Sequence, residues 1–155
     1  MKTEGIQRVV IVVRDLDAAA RRYSDLLGMD FTDFGAQEAF GVRAVVNSDW
    51  TVEIISPIDP NSFAERYLEK HGEGVIGVAF MVQDLAEARD KAEATGVRVL
   101  NEVDFGSVDI WESFKEVMLN GGETNGVPLI LVQAERKSKG QKSNPDRPGL
   151  PAGAA

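Results

Sequence analysis

Cysteine is absent from the 155 residues, which excludes disulfides, zinc–thiolate centres and thiol nucleophiles. Histidine occurs once, as His71, so a site built from several imidazoles is not available. No apolar run approaches the about 20 residues of a membrane-spanning helix. The opening MKTEGIQRVV lacks the basic-then-apolar order and the small-residue cleavage site of an export signal, and the expected location is the cytoplasm. Positive charge is scarce. Lys and Arg number 17 against 25 Asp and Glu, for a net charge of −8 and a pI of about 4.7. Nucleic acid and anionic membrane surfaces are therefore poor candidate partners. No glycine loop leads into a helix as a phosphate-binding loop does. The glycines of NGGETNG, residues 120–126, read as a hairpin turn.

What is present is a chain that repeats itself. Hydrophobic residues make up 43%, enough for the core of one domain or of two small units sharing one. The segment VVIVVRDLDAAARRYSDLLGMDF (9–31) matches GVAFMVQDLAEARDKAEATGVRV (77–99). Each is an apolar strand, an Asp-Leu junction and a helix ending at glycine. Asp15 aligns with Asp84, Leu16 with Leu85, and Gly28 with Gly96. Asp15 or Asp17, and Asp84, are N-cap candidates, and Glu87 completes a capping box with Asp84. Leu16, Ala19, Ala20, Tyr23, Leu26 and Leu27 form an apolar stripe at helical spacing; Leu85, Ala88 and Ala92 form a thinner one. Gly28 and Gly96 suit the left-handed position that closes a helix.

Strand-like runs follow each helix, at about 29–36, 39–47 and 51–56, and again at about 97–104, 114–119 and 127–133. A period this long marks a duplicated module. The expected organisation is a βαβββ module over 1–57, a linker over 58–72 with a short helix from about Ser62 to Lys70, and a second βαβββ module over 73–134. A Gly-, Pro- and Lys-rich tail over 135–155 follows, disordered by composition or, if ordered, packed on a partner. The fold class is α+β.

With that organisation the chain resembles the vicinal oxygen chelate superfamily of glyoxalases, bleomycin-resistance proteins, extradiol dioxygenases and methylmalonyl-CoA epimerases. The resemblance is carried by VVIVVRDLDAAARRYSDLLGM, TVEIISP, FAERYLEKHGEGVIGVAFMVQDLAEARDKAEATGVRVL and TNGVPLILVQ. FAERYLEKHGEGV is most similar to the epimerase branch, and somewhat similar to the hydroxyphenylpyruvate dioxygenase branch. The resemblance implies two βαβββ modules forming a curved mixed sheet around a cleft, and a homodimer. It also implies a divalent metal held by side chains from four strands. Carried over residue by residue from the junction motifs, those four places are held here by Arg8, Glu53, Gly77 and Ile130. Only Glu53 is a metal ligand type. A guanidinium has no lone pair to donate and repels a cation, so neither a metal nor any other cofactor is expected.

Two features are left to interpret. Gly77 interrupts the apolar run GVIGVAFMV; it opens room for a ligand, or it marks a β-bulge or a close helix–sheet contact. Arg8 shares a strand face with Val10 and Val12, and Glu53 with Thr51 and Ile55. An Arg8–Glu53 pair either replaces the metal as a structural link or forms a site in which Arg8 binds a ligand oxygen and Glu53 moves a proton. The remaining candidate pocket residues are Val10, Ala79, Trp111, Phe114 and Glu116. Trp111 and Phe114, with Phe105, lie in DFGSVDIWESFKEV (104–117), and these aromatics line a pocket or are plain core. Trp50 is a similar case, and Asp33, Phe34 and Phe40 are candidates for a second lip. His71 follows SFAERYLEK and reads as a cation at a helix C-terminus.

The functional expectation is a metal-independent enzyme of the superfamily, of isomerase, lyase or cyclase type, acting on a small carbonyl or carboxylate compound through Arg8 and Glu53. The alternative is a non-catalytic protein that binds an antibiotic or hydrophobic metabolite. A metal-dependent epimerase or lyase is the third reading.

Overall fold

The computed structural model describes residues 2–138. The tail expected from residue 135 therefore lies mostly outside the described residues. The chain divides into two compact units, one over Arg8–Ile76 and one comprising the segment from Gly77 together with the first residues up to Gln7. Both are strand–helix–three-strand modules, so the duplicated α+β fold read from the sequence is the fold of the protein.

The first unit contains β1 (Thr3–Val12, from Arg8 on), α1 (Leu16–Leu27), β2 (Phe31–Gln37), β3 (Val42–Asn47), β4 (Val52–Pro57) and α2 (Phe63–His71). Its strand order is β2-β3-β4-β1, with β1 parallel to β4 and the other pairs antiparallel. Asp15 caps α1 by accepting from the Ala18 amide, and Gly28 closes it at φ 66°, where a side chain would cost backbone strain. Val13, Leu16, Val45 and Ile54 form the core beneath α1, with Ile11, Ala19, Ala20 and Tyr23 packed around them. Because side chains alternate along strands, this packing assigns the faces. Ile11, Val45 and Ile54 look toward α1, while Val10, Val46 and Glu53 look the other way.

Two residues of the expected α1 stripe do not join the core. Leu26 is 73% and Leu27 55% exposed. The core contacts come from Leu16 through Tyr23, the first two turns, and the last turn of the helix projects past them.

The second unit holds β5 (Gly74–Val82, from Gly77 on), α3 (Leu85–Ala94), β6 (Val99–Val108), β7 (Trp111–Leu119) and β8 (Leu129–Arg136), in the order β5-β8-β7-β6. Strand β5 is parallel to β8, and the remaining pairs are antiparallel. Asp84 caps α3 by accepting from the Glu87 amide, and Gly96 follows the helix at φ 84°. Val82, Leu85, Ala88, Ala92, Val117, Leu119 and Leu131 make the core on the α3 side. Ala79, Phe114, Glu116, Ile130 and Val132 alternate with these and lie on the helix-free face.

Strands in this unit run longer than the sequence pattern suggests. Residues 104–117 are mostly a β6–β7 hairpin, with register shifts on either side of Gly106 and Asp109 turning at φ 47°. Bulges break strict alternation, which hides the strands from a period-2 reading. The NGGETNG connection is wider than a two-residue hairpin turn: it contains a 3₁₀ turn over Gly121–Glu123 and left-handed Asn125 and Gly126. No helix among the described residues is long and apolar enough to cross a membrane.

Candidate functional site

On the helix-free face of the first unit, the parallel register sets Val10 opposite Glu53, and the antiparallel register sets Val46 on the other side. Arg8 lies two residues before Val10 on the same face. Its Nε donates to Glu53 Oε2 at 2.9 Å. Arg8 is 5% and Glu53 8% exposed, so this ion pair is largely removed from water. The pairing inferred from strand alternation is therefore present. Val46, the third member of the arrangement, was invisible in the sequence because cross-strand register between β3 and β4 has no local signal.

Glu53 is bracketed by valines and held by one guanidinium. An ion pair so desolvated is weak as a device for stability and typical of sites that bind or move charge. Chemically, it offers a carboxylate for proton transfer next to hydrogen-bond donors that suit a developing oxyanion.

The second unit explains Gly77. A Cβ placed there would stand 3.4 Å from Ile130 Cδ1 and 3.6 Å from the Pro128 carbonyl. The β5–β8 ladder runs from Val78 to Met81 without a register shift, so Gly77 does not mark a bulge in that ladder. The nearest side chain is Ile130 on the neighbouring strand β8, at ordinary contact distance, so the neighbour that Gly77 faces belongs to the sheet and is not a helix. The φ of Gly77 lies outside the left-handed region. Gly77→Ala is thus expected to fold and to raise the unfolding free energy by up to about 1 kcal/mol in a urea titration, by restricting the unfolded chain. A loss above about 2 kcal/mol would instead mean that Ile130 cannot yield.

Ala79 (0% exposed) pairs with Ile130 across the same ladder. Trp111 and Phe114 pack with ring centroids 5.6 Å apart, and Phe105 and Phe114 with 6.0 Å. The Arg136 guanidinium lies 5.2 Å from the Trp111 ring centroid, at cation–π distance. All three rings are buried, Phe114 at 1% exposure. Glu116, 3% exposed, stands on β7 between Val103 and Val132.

The other candidates separate. Trp50 adopts φ 57°, unusual for a bulky residue, and its ring meets Phe34 edge-on at 5.6 Å. Asp33 turns outward to Arg43, which also holds Asp17. The Arg43 hydrogen bond keeps the Asp33 carboxyl below its ordinary range, against a smaller opposing effect of burial. Asp33 and Phe34 therefore do not form one lip. His71 is the last residue of α2 and stacks on Tyr67 at 4.6 Å, where the sequence placed it.

The four places at which a divalent metal is held in the resembling superfamily do not suit one here. Arg8 and Ile130 carry no donor lone pair, Gly77 has no side chain, and Glu53 already accepts from Arg8.

Comparison with known proteins agrees with the architecture. The chain is 31% identical over 132 residues, 83% of its length and 96% of the relative's, to an ethylmalonyl-CoA/methylmalonyl-CoA epimerase of Cereibacter sphaeroides. A methylmalonyl-CoA epimerase structure from Mycobacterium tuberculosis superposes with a TM-score of 0.73 at 25% identity, covering 86% of this chain and 89% of that one. A variant of the Streptomyces coelicolor epimerase, in complex with 2-nitronate-propionyl-CoA, superposes with a TM-score of 0.73 at 27% identity, covering 85% and 98%. Residues 7–110 match the model of one family, and the chain belongs to it: the Glyoxalase/Bleomycin resistance protein/Dioxygenase superfamily.

Proposed function

We propose that this chain is a metal-independent isomerase-type enzyme that shifts a proton next to a carbonyl, with an acyl-CoA thioester of the methylmalonyl type as its first candidate substrate. The observation that carries the reading is the buried Arg8–Glu53 pair. The epimerase relatives supply the substrate class. In this reaction the Glu53 carboxylate takes the α-proton, and the C–H electron pair passes into an enolate. Arg8 donates to the enolate oxygen and supplies the electrostatic stabilisation that a metal gives elsewhere. The Nε–H of Arg8 is donated to Glu53. Val10 would flank the reacting carbon.

The apolar helix-free face of the second unit, with Ile130 filling the place above Gly77, equally suits a protein that binds its ligand without turning it over. One experiment separates the readings. Methylmalonyl-CoA is incubated with the protein in D₂O, with and without EDTA, and α-proton exchange is followed by NMR. The expected result is exchange that survives EDTA and falls about 10²–10⁴-fold in Glu53→Gln, with binding retained. Binding without exchange identifies a binder. Exchange abolished by EDTA and restored by Co²⁺ overturns metal independence.

A further inference from the structure

The same three residues, Asp-Phe-Gly, occur at 33–35 and again at 104–106. They stand on β2 and on β6, the strands that end the order β2-β3-β4-β1 and the order β5-β8-β7-β6. Each of these strands pairs on one side, with β3 or with β7, and has no strand among the described residues on its other side.

Both copies fold alike. Asp33 Oδ1 accepts from the Gly35 amide at 2.7 Å, and Asp104 Oδ1 accepts from the Gly106 amide at 2.9 Å. Gly35 turns at φ 70° and Gly106 at φ 63°. A Cβ on either would meet nothing within 4 Å, so the backbone conformation, not crowding, calls for glycine. The pairing register slips by one residue across each triplet, between Asp33 and Gly35 and between Asp104 and Gly106. The extra residue makes a bulge of the kind that holds a glycine in the left-handed conformation. Each aspartate is also paired with a cation on the neighbouring strand, Asp33 with Arg43 on β3 and Asp104 with Lys115 on β7. Phe34 is 7% and Phe105 6% exposed, which anchors each bulge to its own unit.

Such an edge is a poor template. A strand that adds to a sheet needs a straight row of free amide and carbonyl groups. Here the extra residue bends the row, the glycine amide is satisfied within its own turn, and a carboxylate stands beside it. The Arg8–Glu53 pair makes no use of either triplet.

We propose that the two Asp-Phe-Gly bulges close β2 and β6 to strand addition, so that any association with a second copy of this chain uses another surface. The inference does not depend on the isomerase reading.

Deleting Gly35, Gly106 or both removes the extra residue and lets the register run straight. Light scattering then follows the molar mass of the full chain as concentration rises, and hydrogen exchange locates the contact. One reopened edge can pair with only one other, so each single deletion is expected to approach about twice the wild-type mass. Two reopened edges do not close, and the double deletion is expected to form open-ended assemblies that bind thioflavin T. New amide protection is expected on β2 when Gly35 is deleted and on β6 when Gly106 is deleted. Folded deletion variants of wild-type mass overturn the proposal. So does growth with protection spread along the chain, and so does wild-type protein whose β2 or β6 amides gain protection with concentration. Should a deletion fail to fold by circular dichroism, Asp33→Val and Asp104→Val decide, because valine offers the glycine amide no acceptor and favours extended backbone. A mass that rises with concentration upholds the role, and an unchanged mass overturns it.

Discussion

Arg8→Met is expected to lower the unfolding free energy by about 3–5 kcal/mol, the range for breaking a buried ion pair from one side. The substitution retains much of the side-chain volume and removes the donor at 2.9 Å from Glu53. Glu53, 8% exposed and bracketed by Val10 and Val46, is left with its charge uncompensated. The double variant Arg8→Met/Glu53→Leu is expected to recover part of the loss, because Glu53 is then no longer left as a buried charge without its guanidinium. Urea titration of the three proteins measures both quantities. A single-variant effect below about 1 kcal/mol would indicate a pair exposed to solvent and contradict its burial. A stable double variant without proton-exchange activity would show that the pair is kept for chemistry. A stable double variant of wild-type activity would leave it without a functional role.

Phe114→Ala should destabilise the protein by about 3–5 kcal/mol, from the lost ring and the cavity left behind. Phe114 is 1% exposed and touches both Phe105 and Trp111, so no mobile group nearby can fill its space without disturbing the other rings. Thermal and urea denaturation give the effect directly. A loss under about 1 kcal/mol would mean that the ring faces a ligand space already open to solvent, and ligand affinity would then be the property that falls. A full loss assigns Phe114 to the core that supports Glu116 from two residues away on β7. Either result also bears on Trp111, whose face is covered by Arg136.

Local chemistry made much of this protein legible in its sequence. The two Asp-Leu junctions announce helix starts because an N-cap needs only a short side chain and an amide three residues on; both Asp15 and Asp84 make that bond. The closing glycines, the α2 helix ending at His71 and the repeat itself are also written within a few residues of one another. The Arg8–Glu53 pair was reachable as well, since alternation along two strands placed both side chains on one face.

Tertiary structure decided what depends on register and on where an element ends. Helical spacing puts Leu26 and Leu27 on the apolar stripe of α1, but packing reaches only as far as Tyr23, and both leucines face solvent. Alternation cannot show that Ile130 covers Gly77, because that contact depends on how β8 aligns with β5. The bulged hairpin over 104–117 has the same origin. A helix is determined by residues three and four apart, whereas a sheet is determined by partners distant in the chain whose alignment shifts with every bulge.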